Sequence, residues 1–337
     1  MKPVAPDRPL RVGIAGAGAI SQFHLAAWRD IPGVELVAIC DPDVERGRAK
    51  AQQFGIPAVH GDFATMLASE RLDAVDIITP VATHAPLTRM AADAGVHVCC
   101  QKPLCPTVRE ATDLIASVGE RVRFMVHENY RFRPHYALMR RWLADGRIGR
   151  ILHARMTVRS ASCFTADGSE PPLLKRQPYL RKFPRLLVFE VLIHHLDAMR
   201  TLLGPLEVKS ATLARVNPDL AGEDVAVITL VGAGGMTVVL DGNISAPGYP
   251  GLPVDRFEIM GSTGTLVYDR DRLYFEGSAE AATPFDLAAN YQVCFTEAVR
   301  EFADGLRSGA PFETDRLDNL ETLKLMEACY RAAGVTV

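Results

Sequence analysis

What this chain has little of narrows the field first. Across its 337 residues no apolar run approaches the roughly 18–20 residues a membrane-spanning helix needs, so no membrane partner is expected. Lys and Arg (37) nearly balance Asp and Glu (40), a formal net charge of −3. Nothing in that balance calls for nucleic acid or anionic lipid. The stretch from Met1 to Pro9 has no apolar segment of signal-peptide type, so it reads as an N-terminal arm. The cysteines (Cys40, Cys99, Cys100, Cys105, Cys163, Cys294 and Cys329) are odd in number and lack metal-ligand spacing. They read as reduced, buried thiols of a cytoplasmic protein, and no bound metal is expected. Internal repeats, low-complexity tracts and heptads are absent too. A composition of 48% hydrophobic and 23% charged residues is ordinary for a globular protein. The length favours two domains.

Up to about residue 125 strand and helix signals alternate. Strands are expected at 11–15, 34–40, 57–59, 74–79, 96–100 and 122–126, and helices at 19–30, 43–54, 62–69, 84–94 and 107–118. This alternation implies right-handed βαβ units and a doubly wound parallel sheet. Beyond about residue 130 one helix (134–145) precedes β-patterned stretches at 151–159, 206–216, 224–231, 235–244, 255–260, 264–268 and 272–276. These predict a large, mostly antiparallel open sheet. Residues 160–185 are polar, proline-bearing and cationic, and are expected to lack regular structure. Helices return at 284–308 and 314–333. The division expected is 1–128 and 129–337.

The first strand runs into Gly16-x-Gly18-x-x-Ser21, and a helix follows. Strand, glycine turn and helix in that order suit a dinucleotide. Gly16 permits the tight turn, and Gly18 lets a pyrophosphate approach the chain beside Ala19 and Ile20 and rest on the helix N-terminus. Asp41 ends the second strand, placed to accept hydrogen bonds from an adenosine ribose. NAD is therefore expected as cofactor and NADP disfavoured, although Arg46 or Arg48 stands close enough in sequence to receive a 2′-phosphate. Ser21 occupies the third glycine position, where a small residue suffices.

Four further segments carry candidate chemistry. After the buried run Ala74–Ile78 come Thr79, Pro80 and His84, at a strand end where doubly wound folds bind ligands. An ordinary strand-to-helix turn is the alternative there. Lys102 stands just past another strand end, followed by Pro103. In a dry pocket a lysine can exchange a proton or stabilise an anion; on the surface it is merely solvated. Asn129 and Arg131 fall at the apparent domain crossover, where Arg131 suits a ligand or an interdomain ion pair equally. Finally Glu190, His194 and Asp197 lie at i, i+4 and i+7, on one face of a straight helix. Acidic neighbours set the tautomer and charge of such a histidine, and His195 points elsewhere. Zinc would need a third nitrogen or sulfur ligand that the pattern lacks.

Taken together, Asp73-Ala-Val-Asp-Ile-Ile-Thr-Pro80 with His84, Gly95-Val-His-Val98 with Lys102-Pro103, Asn129-Tyr-Arg-Phe-Arg-Pro134, Gly146-Arg-Ile-Gly149, His194-His-Leu-Asp197 and Gly261-Ser-Thr-Gly-Thr-Leu266 resemble the Gfo/Idh/MocA family of NAD(P)-dependent sugar and polyol oxidoreductases. The resemblance covers nearly the whole chain. It implies an N-terminal Rossmann domain and a C-terminal α/β domain whose sheet joins dimers or tetramers. It also implies hydride transfer between nicotinamide and a hydroxyl-bearing carbon of a sugar, polyol or sugar acid. Lys102 matches the family's Glu-Lys-Pro lysine, while Glu190 and His194 match its Asp-x-x-x-His pair. Lys102, His194 and Glu190 are thus the expected catalytic groups. Gln101 and Asn129 join the cofactor set, and Asn129, Arg131, Tyr179 and Asp197 the substrate set. Three departures stand out: Gln101 replaces Glu, Glu190 replaces Asp, and Leu192 replaces Gly, which should narrow the pocket. Glycoside cleavage through transient oxidation, and a non-catalytic NAD-binding sensor, are the alternative functions.

Overall fold

The buried run Ala74-Val-Asp-Ile77 shows why the first half folds as it does. Short and largely β-branched, it is enclosed on both faces, as a central parallel strand must be. The computed structural model describes residues 8–336; the first seven residues of the expected N-terminal arm lie outside them. The first unit takes in the chain up to Phe132 together with Tyr291–Leu323. It contains β1 (Leu10–Ala15), α1 (Ser21–Arg29), β2 (Val34–Cys40), α2 (Val44–Phe54), β3 (Ala58–His60), α3 (Phe63–Ser69), β4 (Ala74–Ile77), α4 (His84–Asp93), β5 (His97–Gln101), α5 (Val108–Val118) and β6 (Phe124–His127). The strands pair in parallel in the order β3-β2-β1-β4-β5-β6. This is the doubly wound dinucleotide-binding order.

Local chemistry sets the helix ends. Asp43, Asp62 and Thr107 accept hydrogen bonds from the third-residue amides of α2, α3 and α5, the capping that fixes helix starts. At Thr107 the hydroxyl also meets the Glu110 carboxylate at 2.9 Å.

The second unit comprises Arg133–Asn290 and the chain from Lys324. It holds α6 (Pro134–Ala144), β7 (Ile151–Arg159), α7 (Pro172–Arg176), α8 (Ile193–Leu203), β8 (Glu207–Ala214), β9 (Val225–Val231), β10 (Thr237–Asn243), β11 (Val254–Gly261), β12 (Thr265–Asp269), β13 (Arg272–Phe275) and β14 (Thr283–Pro284). The order of this eight-stranded sheet is β14-β13-β12-β11-β7-β10-β9-β8. Every neighbouring pair is antiparallel except β7 and β10. One face is packed: Met156, Ile228, Leu240 and Phe257 are fully enclosed, each contributing about 1.5–3 kcal/mol by burial. The 160–185 stretch is not structureless. It contains α7 and a short 3-10 turn at Pro178–Lys182, because a proline fits the first turn of a helix, where no amide donor is needed.

Two helices close the chain, α9 (Leu287–Ser308) and α10 (Arg316–Ala332). From Tyr291 onward α9 belongs to the first unit, where Phe295, Val299, Phe302 and Leu306 complete a core with Ile14, Leu25 and Trp28. No described helix is long and apolar enough to cross a membrane.

Candidate functional site

In the first unit the expected ligand residues gather at the carboxyl ends of parallel strands. After β1, Gly16 adopts φ +104°, and a Cβ there would fall 2.4 Å from the Ile78 carbonyl oxygen. Only glycine fits. Gly18 is different: a Cβ would meet nothing within 4 Å. Its side is open, as a site for an approaching phosphate should be. Ala19 is exposed, Gly18 and Ile20 are half-buried, and no side chain caps the first turn of α1. The amides of that turn thus suit an anion. Ser21 is enclosed and donates its hydroxyl to the Gly18 carbonyl at 2.7 Å.

After β2, Asp41 is buried. Its oxygens accept the amides of Ala17 (2.8 Å) and Asp43 (2.9 Å) and Nη2 of Arg46 (2.9 Å). Burial alone would raise its carboxyl, but Arg46 and the two amides hold it below the usual range. A carboxylate has about four acceptor positions, and three are taken. Arg46 is half exposed, so it is the partner that can give way to a ribose. These residues fit an NAD nucleotide. Arg48 is engaged elsewhere, on Glu45. We expect Asp41→Ala to lower the preference for NAD over NADP, as a kcat/KM ratio, by roughly 10–100-fold, the scale of one lost charge-assisted hydrogen bond. Removing the carboxylate also frees Arg46 for the 2′-phosphate. An unchanged ratio would remove Asp41 from the nucleotide site.

After β4, Thr79 is half-buried and Pro80 exposed. His84 is almost completely enclosed: Nε2 faces the Thr79 carbonyl at 2.8 Å and Nδ1 the Pro103 carbonyl at 2.9 Å. Burial depresses its pKa. The neutral ring carries one N–H, which can be donated to either of these carbonyls. After β5, Gln101 and Lys102 are half-buried while Pro103 and Leu104 are enclosed. The Lys102 amide donates to Oε1 of Gln101 at 2.7 Å. Gln101 in turn lies 2.9 Å from Nε2 of His24. After β6, Asn129 is buried with its amide on Sγ of Cys294 at 3.1 Å. Arg131, 3% exposed, spends its guanidinium on the Glu313 carbonyl (2.8 Å) and Asp318 (2.6 Å). Arg131 forms an ion pair, but with Asp318 of the same unit rather than the interdomain pair that was the alternative to a ligand contact. His24 and Asp76 were not singled out from sequence. The signal was there: an aspartate inside an otherwise apolar buried strand demands buried partners.

In the second unit Glu190 and His194 sit across a junction. Leu187–Leu192 is a π-helical turn, and α8 begins at Ile193. Its i→i+5 bonding means that Glu190 and His194 do not stack as in the straight helix expected. Glu223 explains the turn's start. Its carboxylate accepts the amides of Leu186 (3.2 Å) and Val188 (3.0 Å), and it also receives the Tyr330 hydroxyl at 2.6 Å. That hydroxyl oxygen accepts the Phe189 amide at 3.2 Å. An internal carboxylate thus caps the segment that carries Glu190. Glu223→Ala should cost about 2–4 kcal/mol, because it strands two buried amides. A denaturant midpoint that does not move would disprove this role.

Glu190 is half-buried, His194 is 8% exposed, and Asp197 is fully enclosed with Nη2 of Arg200 at 3.7 Å. His195 turns away from that group, toward the Val191 carbonyl (3.2 Å) and Asp255 (3.3 Å). Leu192 does not narrow a pocket. It is fully enclosed and lies on β10, where a Cβ on Gly242 would come within 2.9 Å of Leu192 Cδ1; residue 242 must be small to receive it. Tyr179 is 57% exposed. Among the described residues no group of three or more His, Cys, Asp or Glu side chains is placed to hold a metal ion.

A doubly wound sheet with an open glycine turn and an acid after the second strand defines a dinucleotide-dependent enzyme class. Residues 10–129 match the family model described as "Oxidoreductase family, NAD-binding Rossmann fold", and residues 136–267 match the "GFO/IDH/MocA C-terminal domain". The chain belongs to the Gfo/Idh/MocA family. It is an NAD-dependent oxidoreductase that acts on a hydroxyl-bearing carbon of a sugar or polyol. It is 37% identical to a D-apiose dehydrogenase of Paraburkholderia graminis over 95% of this chain and 86% of that protein. A D-apiose dehydrogenase of Rhizobium rhizogenes is 32% identical, over 96% and 95%. An oxidoreductase from Agrobacterium radiobacter, solved in complex with NAD+, L-tartaric acid and magnesium, superposes with a TM-score of 0.88 at 31% identity, over 96% of each chain.

Proposed function

We propose that the substrate is D-apiose or a similarly small branched sugar. The observation that supports this is the likeness, over nearly the whole chain, to two D-apiose dehydrogenases at 37% and 32% identity. NAD, when bound, supplies the hydride acceptor; the protein's part is to hold the nucleotide and manage a proton. In this reading Gly16, Gly18, Ala19 and Ile20 receive the pyrophosphate, and Asp41 the adenosine ribose. Thr79, Pro80 and Gln101, with His84 beneath, shape the strand ends toward the nicotinamide. Lys102 donates a hydrogen bond to the hydroxyl oxygen being oxidised and stabilises the charge developing on it. His194 takes the hydroxyl proton, and Glu190 stabilises the imidazolium. Asn129, Arg131 and Asp197 are enclosed, so we assign them to supporting the site, with Tyr179 free to meet the sugar.

The test is NAD+ reduction, followed by nicotinamide absorbance, across D-apiose, other aldoses, inositols, aldonates and levoglucosan, with NADP+ in parallel. The reading expects D-apiose to give the highest kcat/KM. A preference of ten-fold or more for an unbranched sugar or a cyclitol would refute it. We further propose a cytoplasmic enzyme, which the buried cysteines, none of them in a disulfide, support. Two or four copies would assemble through the outer sheet face, which the exposed Val227 at its surface supports. Sedimentation velocity measures that state, and a monomer at micromolar concentration would exclude it.

A further inference from the structure

We propose that His24 is a positioning residue for Lys102, acting through the side chain of Gln101, and that glutamine at 101 is matched to the Nδ1-protonated tautomer of that imidazole. The role rests on the reading of Lys102 given above. Asp76, on β4, is fully enclosed. Its Oδ2 accepts Nε1–H of Trp28 at 2.7 Å and lies 2.8 Å from Nδ1 of His24. Burial would raise this carboxyl, but His24, His127 and Trp28 hold it below the usual range. An ionised carboxylate only accepts, so Nδ1 carries the proton. The Gln101 amide nitrogen faces Nε2 at 2.9 Å, and a bond there requires a lone pair on Nε2. That leaves Oε1 of Gln101 facing the Lys102 amide at 2.7 Å.

The chain Asp76–His24–Gln101–Lys102 has one direction. Turning the Gln101 amide over would set Oε1 against a lone pair and NH2 against N–H, losing both bonds. The tautomer therefore fixes the amide, and the amide fixes the main chain at Lys102. The remaining neighbours of His24 are His127 on β6, its ring centroid 4.1 Å away, and Phe295 at 5.2 Å, while Cys99 on β5 adjoins Asp76. Glutamate at 101 behaves differently. Its carboxylate accepts from both sides, so it calls for a proton on Nε2 as well. A single substitution at 101 should thus change the protonation state of a fully buried histidine. Small displacements of a group that orients a reacting atom cost large factors in rate.

Five variants and one spectrum test this. His24→Phe keeps a ring but offers Gln101 no acceptor. It should lower kcat by roughly 10–100-fold, the range for removing a residue that orients a ligand, with the NAD Kd within about three-fold. His24→Gln returns an acceptor and should recover most of kcat, a rescue that a merely space-filling role would not give. If His24→Phe does not fold, Gln101→Leu cuts the same link with Asp76 and His24 intact, and the same loss is expected. In 15N-histidine NMR the His24 resonances, identified by their absence from His24→Gln, should show a single proton on Nδ1, and two protons in Gln101→Glu. Unchanged kcat in folded His24→Phe or Gln101→Leu would overturn the positioning role; a proton on Nε2 in the parent protein would overturn the tautomer. Lys102→Ala is assayed alongside. If it keeps its kcat, the Lys102 reading and the positioning role fall together, while the tautomer stands or falls by the spectrum.

Discussion

Lys102→Ala is expected to lower kcat by roughly 10²–10⁴, the scale of lost acid–base or oxyanion assistance, while the Kd for NAD measured by calorimetry stays within about three-fold. The split is the informative part. Gly16, Gly18 and Asp41, on the loops after β1 and β2, are untouched by a change after β5, so nucleotide binding should survive. Lys102 itself stands on a braced segment. Its amide is held by Gln101, the Pro103 carbonyl faces Nδ1 of His84 at 2.9 Å, and Pro103 and Leu104 are enclosed. A long flexible side chain on such a base loses less freedom when it meets substrate. Lys102→Arg separates the two roles open to the lysine. Arginine keeps the charge but does not give up its proton near neutral pH. Recovery to within ten-fold of the parent kcat would mean charge alone is needed. A loss as deep as alanine's would mean the proton is handled there. A kcat unchanged in Lys102→Ala removes the residue from the mechanism.

What could be read from the sequence divides along physical lines. The glycine turn was legible because its causes are local: Gly16 must take a positive φ and pass close to the Ile78 carbonyl, and no other residue does both. The parallel strands were legible because burial on both faces leaves continuous apolar runs such as Val37–Cys40. The π-helical turn at Leu187–Leu192 was not. Its cap, Glu223, and the hydroxyl of Tyr330 come from distant parts of the chain, and no local spacing announces them. The return of Tyr291–Leu323 to the first unit was hidden for a related reason. An amphipathic helix states that it has a face to bury, not which core receives Phe295 and Phe302. Leu192 shows the limit of reading a departure from a family pattern by itself: its effect was absorbed by Gly242 on a neighbouring strand. Asp76 was legible as an anomaly, but its partners on α1 were not.

His194 carries the other large expected effect. His194→Ala should reduce kcat by roughly 10²–10⁴, and His194→Asn, which keeps a polar group but no base, should fall almost as far. The argument starts from where the residue sits. It is the second residue of α8, 8% exposed, directly after a π-helical turn, and such turns frequently occur at functional sites. Glu190 stands on that turn with only part of its surface covered. Its carboxylate can stabilise an imidazolium, so Glu190→Gln should cost less than loss of the histidine, roughly 10-fold. The ordering distinguishes a base with an acidic neighbour from a carboxylate that acts alone. If Glu190→Gln proves more damaging than His194→Ala, the proton goes to Glu190 and the roles exchange. A substrate isotope effect provides the second check. When proton removal accompanies hydride loss, a substrate deuterated at the oxidised carbon should slow kcat in His194→Ala at least as much as in the parent enzyme, because chemistry then limits turnover. A variant that shows no such isotope effect would have lost a slow physical step instead, and the histidine would be a residue of binding or release.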